Sequence, residues 1–196
     1  MRFAISLFLL SALAAYSADT RIRQTGKDRF ETAFPSGGEM RLTIQSGEVH
    51  VVGGDDNKVL VWYEGRNAEE ARNIRLGFTA SGNHGELEIH GGPRSEFRIN
   101  IQIPRKTGVF IRVPAGDLTA EGLVGDKNVE LTAGNLILQV GNPADYGPVD
   151  ASVHAGDLNA GPFEVSKGGL FRSFQHQGPG RYRLHAHVGA GDLNLK

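Results

Sequence analysis

The ten residues Val113–Gly122, VPAGDLTAEG, contain a four-residue phrase that this chain repeats. Ala-Gly-Asp-Leu returns at residues 155–158 and 190–193, and residues 133–136 differ only by Asn in place of Asp. Glycine supplies the positive φ that a tight corner needs, and an Asp or Asn side chain bonds the neighbouring backbone. We interpret each copy as a corner that leads into a strand, with the leucine of the phrase pointing inward.

The spacing of the corners predicts how the strands are arranged. Gly116, Gly125 and Gly134 stand nine residues apart, and each is followed by Asp or Asn. One such unit cannot bury an apolar face alone, whereas units stacked about 4.8 Å apart share a continuous core. We therefore predict an all-β solenoid, a β-helix with short irregular coils. The alternative is a β-sandwich, which also combines short strands with Gly-rich turns. The predicted corner residues are Gly116, Asp117, Gly125, Asp126, Gly134, Asn135, Gly156, Asp157, Gly191 and Asp192.

Alternation of apolar and polar residues supports the all-β class. The clearest instance is FRINIQIP, residues 97–104, in which the Phe and the three Ile residues share one face and Pro104 ends the strand. Only residues 67–74 have helical spacing, with Asn67 as the N-cap and Glu70 in the first turn.

The chain divides into three segments. Residues 1–17 join a basic Arg2 to an apolar run and end in small residues, which is typical of a secretory signal peptide. Residues 18–39 are more polar and are interpreted as an N-terminal arm or edge strand, followed by one solenoid domain over residues 40–196. We therefore expect an exported protein, periplasmic or extracellular, whose stability depends on burial and backbone pairing because the chain has no cysteine.

Two longer segments carry a resemblance to a known family. They are VPAGDLTAEGLVGDKNVELTAGNLILQVG, from Val113, and GPGRYRLHAHVGAGDLNLK, which ends at Lys196. On these segments, residues 40–196 resemble the adhesin-like domains of unknown function found in exported bacterial proteins. The resemblance implies a right-handed single-stranded β-helix and a non-catalytic structural or interaction module. Adhesion-like contact with a cell-surface polymer or protein is the function that it suggests.

Few residues suggest metal or cofactor chemistry. The corner acids resemble those of calcium-binding nonapeptide rolls, but the Gly doublet and second Gly of those turns are missing, so we interpret them as braces. His185 and His187 share one strand face and are weak candidates for metal ligands, with His154 or His176 as a third. The alternative is that both lie on a solvated face. We expect no bound metal and no other cofactor.

Enzyme signatures are absent from the sequence. It contains no Gly-x-Ser-x-Gly, His-Glu-x-x-His, phosphate-binding loop or Ser-x-x-Lys motif. The alternative function is a polysaccharide-active enzyme with a carboxylate site in a groove along the solenoid, for which Glu86 with Glu88, or Glu69 with Glu70, are candidates. Trp62 and Tyr63 are adjacent, so they face opposite sides of a strand and cannot form one stacking platform for a sugar.

Charge and hydropathy limit the partners. Without Arg2, the mature chain has 20 basic and 22 acidic side chains, which gives no reason to expect nucleic acid. We also expect no integral membrane segment in the mature chain. The final phrase, GAGDLNLK, has nothing after it to cover its backbone groups. We therefore expect either that an earlier segment covers this C-terminal edge or that two chains associate through it.

Overall fold

The computed structural model describes residues 19–65, 70–92 and 97–196, without the side chains of residues 70 and 71. The proposed signal peptide, residues 1–17, lies outside these ranges, as do Asn67 and Glu69. The described part of the predicted helix is a short 3-10 turn, Glu70–Asn73. Within the described residues there is no helix whose length and apolarity would let it cross a membrane.

The described chain is all-β and consists of short strands joined by tight turns. Two further 3-10 turns occupy Pro143–Asp145 and Gly161–Phe163. The strands are β1 Thr20–Thr25, β2 Arg29–Ala33, β3 Glu39–Ile44, β4 Glu48–Gly54, β5 Lys58–Gly65, β6 Arg75–Ser81, β7 His84–His90, β8 Phe97–Pro104, β9 Gly108–Ala115, β10 Leu118–Glu121, β11 Lys127–Ala133, β12 Leu136–Leu138, β13 Tyr146–Ala155, β14 Leu158–Ala160, β15 Val165–Lys167, β16 Leu170–Gln177, β17 Tyr182–Ala190 and β18 Leu193–Leu195.

These strands form two nine-stranded mixed sheets. The first sheet has the order β1-β6-β7-β3-β9-β11-β17-β13-β16, and the second has the order β15-β14-β18-β12-β10-β4-β8-β5-β2. Neighbours are parallel in the middle of each sheet and antiparallel towards its ends. Buried residues of both sheets form one cluster. The pairing thus gives two open sheets in a sandwich-like arrangement, which fits the alternative that the sequence left open, and it does not establish the β-helix.

Corner phrases connect the two sheets. The strand before each corner belongs to the first sheet and the strand after it belongs to the second, as in β9 and β10 on either side of Gly116. This connection places the leucine of each phrase in the space between the sheets. Leu118, Leu136, Leu158 and Leu193 are all fully buried, as the repeat predicts.

The segment interpreted as an arm or edge strand contains two strands that belong to different sheets. β1 is the end strand of the first sheet, where it pairs with β6, and β2 is the end strand of the second, where it pairs with β5. Both pairings are antiparallel, and Phe30 of β2 enters the core. Residues 18–39 therefore contribute one end strand to each sheet.

The C-terminal edge, for which we expected either cover by an earlier segment or association of two chains, is covered within the chain. β18 lies between β12 and β14, and β17 lies between β11 and β13, so both strands pair on both sides. Leu195 is buried, and the N–H of Lys196 donates to Leu138 O at 2.9 Å. Earlier segments therefore cover this edge, and the strand pairing gives no support to self-association through it. On this side of the molecule the end strands are β16 and β15.

Candidate functional site

Five corner glycines stack in one column, in the order Gly47, Gly116, Gly134, Gly191 and Gly156. Their φ values lie between +124° and +139°, a region that favours glycine. Contact between them is also too close for any side chain, since a Cβ at Gly134 would lie 1.8 Å from Gly116 O. The repeated glycine is therefore required by both conformation and packing.

The polar residues that follow Gly116, Gly134 and Gly191 each accept a hydrogen bond from the next corner. Asp117 Oδ1 accepts a hydrogen bond from the backbone N–H of Asn135 at 2.9 Å, and Asn135 Oδ1 accepts one from Asp192 N–H at 3.2 Å. Asp192 Oδ1 in turn accepts from the N–H of Asp157 at 2.9 Å. Only one acceptor oxygen is needed at each step, which explains why an amide can replace the acid at residue 135. These side chains act as braces between units.

One corner escaped the sequence prediction. Ser46-Gly47-Glu48-Val49 begins the column, with the Gly47 N–H bonded to Ala115 O at 3.2 Å and the Val49 N–H bonded to Asp117 O at 2.8 Å. Its signal in the sequence is a glycine followed by an acid and an aliphatic residue. Glu48 is longer than Asp and points away to Arg98, whose Nε donates to it at 2.8 Å.

Gly125 and Asp126 are at the opposite end of the strands from the other predicted corners. Asp126 O accepts from Val109 N–H, and Asp126 Oδ1 accepts from Arg183 N–H, both at 2.8 Å. The nine-residue spacing is therefore half of an 18-residue unit with two corners, one at each end of its strands. The sequence prediction placed Gly116, Gly125 and Gly134 in one series, and the structure divides them between two.

Three of the candidate histidines, His154, His185 and His187, lie on the outer face of the first sheet. His187 Nδ1 is 2.9 Å from Ser152 Oγ, and the His187 and His154 rings are 4.7 Å apart. Burial, followed by the neighbouring His154 and His185, lowers the pKa of His187. His176 instead packs on Phe163, with ring centroids 5.1 Å apart. Among the described residues, no three or more His, Asp or Glu side chains are grouped to hold a metal ion.

The remaining candidate residues whose side chains the structure describes lie on two different sheets. Glu86 and Glu88 are exposed on β7, where they lie beside Arg41 and Thr43 of β3. Trp62 Nε1 donates to Glu64 Oε1 at 3.0 Å on the surface of the second sheet. The neighbouring aromatic ring, Tyr63, stacks on Phe97 with centroids 5.6 Å apart, and burial raises its pKa to about 12. The two aromatic rings form no common platform.

A groove of about 940 Å³ crosses the outer face of the first sheet, from β6 and β7 to β17. A row of outward residues, one from each of five adjacent strands, runs along this face. In register order they are Glu86, Arg41, Phe110, Asn128 and His185. The first four of these residues line the groove, which Arg181 and Tyr182 close at the β17 side.

Two arginines in this groove make cation–π contacts with aromatic rings. The guanidinium carbon of Arg41 is 4.4 Å from the centroid of the Phe110 ring, and that of Arg181 is 4.5 Å from the centroid of the Tyr182 ring. Arg181 also donates to Tyr182 Oη. Stacking on a ring favours one orientation of each guanidinium group and so reduces the freedom of both side chains.

Charges in the groove are balanced and mostly unpaired. The cations are Arg41, Lys106 and Arg181, and the carboxylates are Glu39, Glu86 and Asp126. Among the described residues, none of these three cations has a carboxylate oxygen within 4.0 Å, whereas Glu39 Oε2 is 3.2 Å from His84 Nδ1. Asn128 also lines the groove, but its amide oxygen is buried and has no hydrogen-bond partner among the described residues. Within the part of the chain that the structure describes, the groove therefore presents three cations and the Glu86 carboxylate that are in no ion pair.

A buried lysine stands close to this groove but inside the core. Lys127 is 1% exposed and lies on the inner face of β11, between Val109 of β9 and Leu184 of β17. Its Nζ donates to Val140 O at 3.1 Å and to Tyr146 Oη, and it lies 4.8 Å from the Tyr146 ring centroid. Burial lowers the pKa of Lys127 to about 8, against a smaller opposing effect of Asp145. In the sequence, its signal is a charge at an inward position of KNVELTA.

The lowered pKa of Lys127 makes stability depend on pH. Below pH 8 the amine is charged in both states, and the folded state carries the cost of burying that charge. As the pH rises from about 8 towards 10.5, the folded protein loses this proton first, so the free energy of unfolding should increase. Between about pH 7.5 and 9.5, we expect wild type to gain about 2 kcal/mol relative to Lys127→Met in urea unfolding. Lys106→Met, at an exposed site, should show no such pH-dependent difference. A constant difference between wild type and Lys127→Met would contradict the prediction.

Comparison with known proteins gives likeness at the level of the fold. No family model matches the chain, and a search of curated proteins finds no match. Among solved structures, a protein from Clostridium sporogenes ATCC 15579, provisionally named a cell adhesion protein, aligns with a TM-score of 0.51 and 14% identity. The alignment covers 91% of this chain and 99% of that one. A provisionally named adhesin from Bacteroides fragilis NCTC 9343 aligns with a TM-score of 0.38 and 8% identity, over 92% of this chain and 99% of that one.

Proposed function

We propose that this chain is an exported, non-catalytic binding module that makes adhesion-like contact with a cell-surface polymer or protein. The groove on the first sheet carries the proposal, because binding sites are concave and combine an apolar surface with a few convergent polar groups. Phe110 and Tyr182 supply the rings, and Arg41, Asn128 and Glu86 supply the polar groups, of which Arg41 and Glu86 are in no ion pair among the described residues. The fold likeness to a protein provisionally named for cell adhesion supports the same class of function.

The finer architecture belongs to this proposal. We propose that the units joined by the corner phrases are coils of a right-handed single-stranded β-helix. The stacked glycine column and the parallel pairing of β9 with β11 support this description. In such a framework, equivalent side chains of successive coils come to lie in rows, and the groove contains part of one of these rows.

Two of the three carboxylates in the groove are already bonded to other groups of the protein, which supports a binding function over a hydrolytic one. A glycosidase of the usual kind needs two carboxyl groups on either side of the scissile bond. In the groove, Glu39 is paired with His84, and Asp126 accepts a hydrogen bond from the backbone of Arg183. This leaves Glu86 without an ion pair among the described residues. We therefore retain the polysaccharide-active enzyme only as a result that the experiment below can detect.

A sedimentation experiment tests the function. The protein over residues 18–196 is mixed with insoluble bacterial cell-envelope material, and the bound fraction is measured after centrifugation. We expect wild type to sediment with the envelope, Phe110→Ala to remain largely in solution because the groove loses its central ring, and Ile137→Ala to behave as wild type. Ile137 is a matched control because it is an aliphatic residue on the outer face of the second sheet, between Thr119 and Asn194.

Two results would contradict the proposal. Equal binding by the Phe110 and Ile137 variants would show that the groove is not the site, and absence of binding by wild type would refute the function. Reducing sugar ends are measured in the same samples. Their release by wild type, but not by Glu86→Gln, would establish the enzymatic alternative instead.

A further inference from the structure

We infer that the groove binds a neutral polysaccharide, laid across the strands of the first sheet. This inference rests on the proposed function and specifies its ligand. It follows from the unused hydrogen-bonding groups of the groove, from the balance of its charges, and from the row in which its residues are arranged.

The unused groups are of both kinds, donors and acceptors. Arg41, Lys106 and Arg181 have N–H groups with no carboxylate partner among the described residues, while Glu86 is an exposed acceptor that has no ion pair or hydrogen bond among them. A hydroxyl group donates one hydrogen bond and accepts others. A ligand rich in hydroxyls can therefore satisfy both kinds of group, which a ligand that offers only acceptors cannot do.

The balance of charge favours a neutral ligand. Three cationic and three anionic side chains line the groove, and the formal charge of the whole chain is −1. An anionic polymer that approached Arg41 would also meet Glu86, its neighbour in register on β7. A cationic polymer would meet the two stacked arginines. A neutral polymer meets neither repulsion and can still accept hydrogen bonds from the guanidinium groups.

The stacked arginines also favour recognition of a hydroxyl-rich chain. Arg41 on Phe110 and Arg181 on Tyr182 are restricted before a ligand arrives. Binding then costs less side-chain entropy than it would with freely rotating arginines. The exposed parts of the two rings provide apolar surface for the C–H groups of a sugar. Donors beside apolar surface match a sugar ring, which has both hydroxyl and C–H faces.

The row of residues points to a chain of sugars and not to a single sugar. Glu86, Arg41, Phe110 and Asn128, which line the groove, come from four neighbouring strands. Neighbouring strands lie about 4.8 Å apart, so the three intervals of this row span about 14 Å. A monosaccharide would contact only part of this length. An extended polymer that crosses the strands would contact all of it.

Affinity electrophoresis in native gels tests the inference. The protein over residues 18–196 is run in gels that contain dextran, laminarin or galactomannan as neutral polymers, or polygalacturonate as an acidic one. We expect at least one neutral polymer to retard the protein. Binding to that polymer, measured by calorimetry, should be unchanged between about 50 and 500 mM NaCl, because no net charge is neutralised. Its monosaccharide should compete only weakly.

A pair of asparagine variants locates the contact. Asn128→Ala removes an amide side chain that lines the groove beside Phe110, and we expect it to weaken binding about tenfold. Asn194→Ala is the matched control, because Asn194 lies between two buried leucines of β18 and faces outward from the second sheet. It should bind as wild type does. Thermal melting of both variants shows that each is folded.

Several results would overturn the inference. They are retardation by polygalacturonate alone with loss of binding at high salt, retardation by none of the polymers, equal weakening by the two asparagine variants, and competition by the monosaccharide as strong as that by the polymer. The proposed function fails separately. If envelope material still binds the protein in a Phe110-dependent manner while no neutral polymer does, the ligand class is wrong and the binding function stands.

Discussion

Gly134→Ala is expected to lower the free energy of unfolding by about 4 kcal/mol or more, or to prevent folding altogether. The added Cβ would lie 1.8 Å from Gly116 O and 2.6 Å from its carbonyl carbon, both backbone atoms of the preceding unit. The clash can be relieved only if the units separate, which would break the bond from Gly116 N–H to Ala133 O. Urea unfolding followed by circular dichroism measures the loss.

Gly141→Ala is the matched control for this prediction. Gly141 also has a positive φ, +85°, but a Cβ there would have nothing within 4 Å. The variant therefore has the conformational strain of a non-glycine residue without the clash, and it should cost only about 1 kcal/mol. Equal losses at Gly134 and Gly141 would mean that the column of corners contributes nothing beyond its backbone conformation.

Leu136→Ala should lower the free energy of unfolding by about 2–5 kcal/mol. Leu136 is fully buried between Leu118 of β10 and Leu193 of β18, so its truncation leaves a cavity between leucines of adjacent units. Neighbouring strands on both sides hold the backbone in place, so little collapse into the cavity is expected.

Substitutions of Asp117, at the adjacent corner, distinguish the contribution of the corner hydrogen bond to stability from that of the buried leucines. Asp117→Asn retains the oxygen that accepts from Asn135 N–H and should change stability by less than about 0.5 kcal/mol. Asp117→Ala removes that acceptor and should cost about 1 kcal/mol. A loss for Asp117→Ala as large as that for Leu136→Ala would overturn the view that the leucines stabilise the units and the acids only brace them.

The corners and the buried faces were predictable because they depend on local sequence. A glycine followed by Asp or Asn encodes a turn, and alternation encodes which face of a strand is buried. Leu118 and Ile99 follow these rules, and both are buried. The corner at Gly47 was missed because its acid is the longer Glu48, which binds Arg98 instead of the next corner.

The order of the strands was not predictable, because the corner phrases are nearly identical. Ala-Gly-Asp-Leu at residue 155 fits against the copy at residue 190 as well as against any other, so the phrase does not specify its neighbour. Only contacts between distant segments decide that β17 lies between β11 and β13. For this reason the sequence could not decide between cover of the C-terminal edge by an earlier segment and association of two chains.

The groove could not be predicted from the sequence for a related reason. Its residues occupy outward positions of strands that are far apart in the sequence, and their pairing alone brings them together. One part of the row could have been predicted from the sequence. The 18-residue step from Gly116 to Gly134 also relates Phe110 to Asn128, which are neighbours in the structure. Arg41 follows no such step, because its unit is separated from β9 in the sequence by the antiparallel strands of the sheet ends.

The position of the last unit has a consequence for the time at which the molecule can form. β11 and β13 both require Tyr182–Ala190 as their neighbour, and β12 and β14 both require Leu193–Leu195. While the ribosome is still adding these residues, the growing chain has gaps in both sheets that no earlier segment fills. Domains whose pairings join distant segments fold slowly, and their unpaired edges favour aggregation in the meantime. The first sheet can therefore not be completed until the residues up to Ala190 have been synthesised, nor the second until those up to Leu195 have been.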